Sequence, residues 1–453
     1  MTPTAATASP AGRDVCPAPA TQRLMSLDAL RGFDMFWIIG ADVLVYALGR
    51  IAEGLHGNAG DNGSLLYRFV TFLADQLEHA EWEGFHFYDL IFPLFVFIAG
   101  VSIVFSLTKN IQQGGRGAAV KRVLRRGILL FIVALFYSGG FSSAWPNIRL
   151  MGVLNRIALA YTFAGLFFIF FKPRALVAVC VSLLVGYWAL MTFVPVRDIV
   201  LTRSSIAQIA EAAGDKTIAG YYRNEASPNP SGVKNSEAWA TAEKYFYATT
   251  NWVTGRFDKG HNLADHVDFQ YLPGKRYDTF FDPEGFLSTI PAIATCLLGV
   301  FAGLLLASQT ASDRQKFSSL LVAGIICIVL GRLWALQFPV IKKIWTSSYV
   351  LVAGGYSSIL LGMFYLVVDV LKFQKWCQPF VWIGMNSITI YLAKNIIGGF
   401  ERPAARLVGG DVQTFFDTHV TKGFGKLVIA IVGLLLAFWL VRFLHKRKIF
   451  LRL

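Results

Sequence analysis

The sequence predicts an all-α fold, a polytopic bundle of membrane-spanning helices, and three observations carry that reading. Of its 453 residues 55% are hydrophobic and 14% aromatic, but only 15% are charged, against about 25% charged in ordinary globular domains. Apolar runs close to the roughly 20 residues that cross a hydrocarbon core recur ten times. Lys and Arg gather in alternate connectors, as the positive-inside rule expects. The same composition excludes disordered, collagen-like and coiled-coil classes, which need far more charge, Pro or Gly periodicity.

Residues 1–22, rich in Ala, Thr and Pro, read as a disordered leader, and 23–453 as one transmembrane domain. The spans fall near 25–49, 86–108, 125–141, 150–171, 174–194, 287–308, 317–338, 347–371, 379–400 and 424–444. With the N-terminus inside, the cytoplasmic segments hold Arg13, Arg23, Lys109, Arg116, Lys121, Arg122, Arg125 and Arg126. They continue with Lys172, Arg174, Arg314, Lys316, Lys372, Lys375 and a basic tail from Arg442 to Arg452. Both termini are expected in the cytoplasm. The net charge of +14 is then topology rather than a nucleic-acid surface, which would concentrate its cations on one soluble face. The five Cys are scattered, with no disulfide framework and no metal site.

Two segments on the far side exceed ordinary connectors. Residues 50–85 hold an amphipathic stretch leading into HAEWEGFHFYD, and about 195–285 is polar and rich in Tyr, Trp, Asn, Asp and Gly. Loops this long on a helical scaffold usually carry recognition.

Ionisable residues inside spans are costly and so are functional candidates. Asp28 and Arg31 sit three apart on one face near the cytoplasmic end of the first span. They form either a structural ion pair or, through Arg31, a ligand for an anionic group. Asp42 lies about three turns further along with no basic neighbour in sequence. His79 stands where spans 1 and 2 meet the outer face, beside Trp82; it is either an interfacial belt residue or a general base. Asp42 and His79 share a depth, as a base with its orienter or as two substrate contacts. Asp89, at the head of span 2, is a substrate-binding candidate. Asp282 and Glu284 in DPEG are sugar-hydroxyl ligands, or Asp282 is a helix cap before Pro283. Asn386 could orient the base or hold an amine, and Trp345 and Tyr349 could stack on a sugar or belong to the belt. Arg122, Arg126 and Arg31 are candidates for binding phosphate, as is Arg156, whose guanidinium inside span 4 requires a partner.

The stretches RLMSLDALRGFDM, HAEWEGFHFYDLIFPLFVFIAGVSI, NIRLMGVLNRIALAY, FDPEGFLSTIPAIATCLLGVFAG, FPVIKKIWTSSYVL and GMNSITIYL occur in order between residues 23 and 392. Together they resemble the heparan-alpha-glucosaminide N-acetyltransferase family and its bacterial relatives. That resemblance implies a bundle of ten or eleven helices, which a homodimer would fit, in a bacterial inner membrane. It implies transfer of acetyl from cytoplasmic acetyl-CoA to the amine of glucosamine, or of a glucosamine-terminated saccharide, on the far side. His79 matches the family's catalytic His. Asp42 stands where the lysosomal enzyme has an Asn, and Lys394 where some relatives have a second His. The residue types suit such chemistry, since a thioester is already activated and the enzyme must chiefly align an amine and remove its proton. Whether acetyl passes directly or rests on His79 is open, as both routes use the same side chain. An amino-sugar transporter with Asp42, His79 and Glu284 as substrate and proton sites would explain the buried charges but not the ordered stretches. An O-acetyltransferase of a surface glycan differs only in acceptor.

Overall fold

The computed structural model describes residues 24–56, 65–144, 147–223 and 237–451. The leader expected at 1–22 lies outside them. Among the described residues eight helices are long and apolar enough to cross a membrane, and a helix pair bent by 77° passes the same test when taken as one element, a broken span or a re-entrant loop.

Helix α1 (Met25–Phe36) runs through a π-helical stretch, Trp37–Ala41, into α2 (Asp42–His56). Gly40 there has φ 137°, a backbone conformation natural only to glycine. The break re-aims Asp42 relative to the face of α1. After α3 (Leu65–Gln76), an irregular segment leads into α4 (Ile91–Tyr137), whose 47 residues would extend roughly 70 Å if straight. It reverses at Gly115, φ 72°. Leu107 and Val123, on opposite sides of that glycine, both abut Gly165 of α5 (Val153–Phe170), and Arg122 reaches back to Asn110 at 3.3 Å. The element is therefore two antiparallel helical arms, and with the bent pair helices stand at all ten expected positions.

The bundle continues with α6 (Pro173–Phe193) and, after the 195–285 segment, α11 (Thr289–Ala307), α12 (Asp313–Trp334) and α13 (Ser347–Phe364). The bent pair is α14 (Gln378–Met385) and α15 (Ser387–Ile397). Short helices α16 (Glu401–Val408) and α17 (Asp411–His419) precede the last span, α18 (Phe424–Lys446). Small residues set the tight crossings, as expected where lipid removes the hydrophobic drive between helices. Gly384 faces the backbone of Asp28 and Gly32, Gly100 faces Cys296, and Gly299 faces Phe97. Outward faces are apolar: Val177, Val181 and Val185 on α6, Ile325, Val329 and Leu333 on α12, and Leu435 and Trp439 on α18 are exposed. A soluble protein would not expose such stripes.

The 195–285 segment builds its own small core, which sequence patterning left undefined. An antiparallel pair that brackets three helices, β1 (Val196–Arg197) with β2 (Trp252–Val253), and a hairpin, β3 (Phe257–Asp258) with β4 (His261–Asn262), join α7 (Arg203–Ala212), α8 (Lys216–Arg223), α9 (Glu237–Ala248) and α10 (Leu263–Tyr271). They close around Leu201, Ile206, Tyr222, Trp239, Phe246, Phe269 and Phe280. Trp82 donates its indole N–H to Phe257 O at 2.8 Å, fixing this unit beside the segment that carries His79.

Candidate active site

Between α3 and α4 the chain makes a 3₁₀ turn, Phe87–Leu90, whose Asp89 carboxylate accepts from the backbone N–H of His86 (3.0 Å) and of Ala80 (3.2 Å). The other carboxylate oxygen faces His79 Nδ1 at 2.9 Å and Lys342 Nζ at 3.2 Å. Asp89 is wholly buried, whereas the His79 side chain is half exposed. A carboxylate only accepts, so Nδ1 carries the hydrogen and the lone pair sits on Nε2, the arrangement of a base held by an orienting carboxylate.

Lys342 reaches this place because the loop before α13 is stitched to the His79 segment. Glu83 bridges Ile341, and the N–H of Gly84, φ 135°, donates to Val340 O at 2.9 Å. Its ammonium lies 2.9 Å from His79 Nδ1 and 3.3 Å from Nε2. Burial pulls its pKa below the usual lysine range, against the pull of Asp89.

Asp42 does not touch His79 directly. It accepts from Tyr88 OH at 3.0 Å, and the Tyr88 ring packs on the imidazole with centroids 4.9 Å apart. Asp34, one turn before the π-helical stretch, is fully buried, and neither of its carboxylate oxygens has a partner among the described residues.

A second polar group lies at the head of α11. Arg149 holds Asp282 in a two-pronged contact (2.8 and 2.7 Å) and Glu284 at 2.6 Å, with its guanidinium over the ring of Tyr277. Burial opposes the Arg149 charge, but the two carboxylates outweigh it and raise its pKa. Burial and the neighbouring Asp282 push Glu284 upward, against Arg149 and Arg156. Glu284 is near enough to Lys342 and Tyr391 for its charge to act on both, so this group and the His79 group share one end of the bundle. Arg156 belongs here as well. It donates to Pro283 O (2.7 Å) and Ser288, and stacks on Trp345 at 4.7 Å. Trp345 is 1% exposed, with its N–H on Thr295, so both its faces and its edge are occupied by protein.

The remaining arginines meet elsewhere. A cavity of about 390 Å³ is lined by Arg31, Arg122 and Arg126 together with Asp28, Ser102, Tyr161 and Ser387. Arg31 donates to Ser102 at 2.9 Å and lies 3.6 Å from Asp28; Arg126 covers the Tyr161 ring at 4.8 Å, with its Nε unpartnered. Ser102 stands 13 residues beyond Asp89 on α4, roughly 20 Å along the axis. Phe95, Leu154 and Ile157 also line the cavity, so its wall climbs from the arginines toward the His79 end. Asn386 sits at the α14–α15 bend, between cavity-lining Met385 and Ser387; its Nδ2 donates to Trp382 O at 3.4 Å and its Oδ1 is buried without a partner.

Sequence reasoning singled out His79, Asp89 and the DPEG carboxylates, and missed Lys342, Arg149, Tyr88 and Asp34. The signal for Lys342 was a Lys pair in the otherwise apolar stretch FPVIKKIW at the mouth of a span. For Arg149 it was a lone cation in a short connector, just before a span. Lys394 donates to Ile38 O. Among the described residues no group of three His, Cys, Asp or Glu side chains is arranged to hold a metal ion.

The catalytic-domain model of heparan-alpha-glucosaminide N-acetyltransferase matches residues 64–208. The chain is 30% identical to the mouse protein of that name over 346 residues, 71% of this chain and 50% of the relative. It is 28% identical to the human protein over 454 aligned positions, 95% of this chain and 61% of the relative. The chain thus spans about half to three-fifths of the curated relatives it matches. These matches bear out the likeness read from the six ordered stretches: the chain is a multi-pass membrane protein similar to heparan-alpha-glucosaminide N-acetyltransferase.

Proposed function

We propose that the protein is a transmembrane N-acetyltransferase carrying acetyl from acetyl-CoA to the amine of glucosamine or a glucosamine-terminated saccharide. The observation that carries this reading is the pairing of two sites on one helix. An imidazole with its carboxylate stands at the head of α4, and an arginine-lined cavity opens roughly 20 Å along it.

Arg31, Arg122 and Arg126 hold the phosphates of CoA, whose charge suits guanidinium forks. The pantetheine arm rises past Phe95 and Ile157 to bring the thioester to His79. The acceptor sits between His79 and the Arg149, Asp282 and Glu284 group, where carboxylates meet its hydroxyls and ammonium. Asp89 fixes the Nδ1–H, leaving Nε2 to take the proton as the amine attacks, or to carry acetyl briefly. Asp42 supports the imidazole through Tyr88. The basic connectors support an orientation with the cavity end and both termini in the cytoplasm and the His79 end outside, in a bacterial inner membrane.

The test is release of free CoA, followed with a thiol reagent, from purified protein given acetyl-CoA with and without glucosamine. Glucosamine-dependent release supports the reading. Uptake of labelled glucosamine into proteoliposomes with no thiol release replaces it with a transporter.

A further inference from the structure

Lys342 has no role in the scheme above, yet its ammonium is the cation nearest the base. Resting on that scheme, we propose that Lys342 is a catalytic residue, stabilising the oxyanion that forms when the acceptor amine adds to the thioester carbonyl.

The argument is geometric. Lys342 Nζ lies 2.9 Å from His79 Nδ1 and 3.3 Å from Nε2, so it stands over the edge of the ring that joins the two nitrogens. Asp89 takes the Nδ1 hydrogen, so Nδ1 has no lone pair to offer the ammonium. Lys342 Nζ meets Asp89 at 3.2 Å and lies 3.3 Å from Nε2, so the ammonium stands at the edge of the space that Nε2 faces. An amine delivering its proton to Nε2 occupies that space. The carbonyl carbon it attacks is one bond length further on when the bond forms, which brings the carbonyl oxygen within reach of Nζ. A donor placed where charge develops, rather than where it rests, is what accelerates acyl transfer. The loop is held for this purpose by the Glu83–Ile341 bridge and by the Gly84 hydrogen bond to Val340.

The step balances. The amine lone pair forms the C–N bond while the carbonyl π pair moves to oxygen beside the Lys342 ammonium. His79 Nε2 takes the amine proton. On collapse the C=O re-forms and the C–S bond breaks. The electron pair leaves on sulfur, which receives the proton from His79.

The experiment compares wild type with Lys342→Met for glucosamine-dependent thiol release, with melting temperature and KM for acetyl-CoA measured in parallel. The proposal expects kcat to fall by about 10²–10³, the loss seen when one oxyanion donor is removed, with KM for acetyl-CoA within about threefold. Lys342→Cys, inactive as made, should regain turnover when treated with 2-bromoethylamine, which rebuilds an ammonium of nearly the lysine length. Lys342→Gln, which keeps a donor toward Asp89, replaces the Met variant if that one does not fold. A folded variant keeping kcat within about threefold, or a loss confined to KM, overturns the proposal. So does a folded Cys variant that aminoethylation fails to revive. Absence of thiol release in the wild type would instead refute the acetyltransferase reading itself.

Discussion

Replacing Asp89 with Asn keeps the shape of the side chain and removes its charge, which makes Asp89→Asn the most informative single change at the base. The carboxylate accepts from four donors: His79 Nδ1, Lys342 Nζ, His86 N and Ala80 N. An amide offers one acceptor oxygen and one NH₂. The two backbone N–H groups converge on one carboxylate oxygen, so the amide oxygen stays with them and the NH₂ turns toward His79. Nδ1 must then accept, the hydrogen moves to Nε2, and the lone pair that receives the substrate proton is gone. A positioned general base contributes about 10²–10⁴-fold, so kcat should fall within that range. Lys342 also loses its counter-charge, and breaking a buried pair costs about 3 kcal/mol, toward the low end for this partly exposed lysine. Thiol release gives kcat, a thermal melt gives the stability change, and acetyl-CoA protection of the melt shows whether the cavity survives. A folded Asn variant with kcat within about threefold of wild type would refute the claim that Asp89 sets the imidazole tautomer.

Other outcomes are expected. Arg126→Ala and Arg122→Ala should each raise KM for acetyl-CoA about tenfold with little change in kcat, since a charge-assisted hydrogen bond contributes about 1.5–3 kcal/mol; titration of acetyl-CoA by thiol release reads this. Glu284→Gln should raise KM for glucosamine while leaving KM for acetyl-CoA in place, measured by varying each substrate in turn. In the 195–285 unit, burial raises Asp268 from 3.8 to about 7, against hydrogen bonds from Phe286 and Asp282 N–H. A raised carboxylic pKa favours folding when protonated, so that contribution is present below pH 3.8 and lost as pH rises to about 7. The melting temperature of wild type relative to Asp268→Asn should therefore fall across that window and level off above it; a difference independent of pH would contradict this.

Much of the fold was legible because span length and cation placement are dictated by the bilayer rather than by tertiary detail. The α4 reversal could be read as two spans because Arg116, Lys121, Arg122 and Arg125 mark a connector even though helix continues on both sides of Gly115. The site was legible only in part. His79 stood out as a titratable group at a span mouth, but its partner Asp89 is ten residues away across irregular chain, where no periodicity predicts contact; a capping turn makes it. Lys342 arrives from 263 residues away through a loop stitched by backbone hydrogen bonds, and only tertiary structure shows that. Arg156 was grouped with Arg122 and Arg126 by residue type, yet it lies in the first turn of α5 and faces Pro283 and Ser288 rather than the cavity. Asp42 was paired with His79 by depth; the glycine-permitted π-helical stretch directs it to Tyr88 instead.

The central claim is acetyl transfer at His79, and identification of the product tests it most directly. Purified wild type and His79→Ala would be given radiolabelled acetyl-CoA and glucosamine, and the sugar fraction analysed by mass spectrometry. The account predicts N-acetylglucosamine bearing the label from wild type, and almost none from a His79→Ala variant that still binds acetyl-CoA. Labelled product from both at the same rate, or from neither, would contradict it.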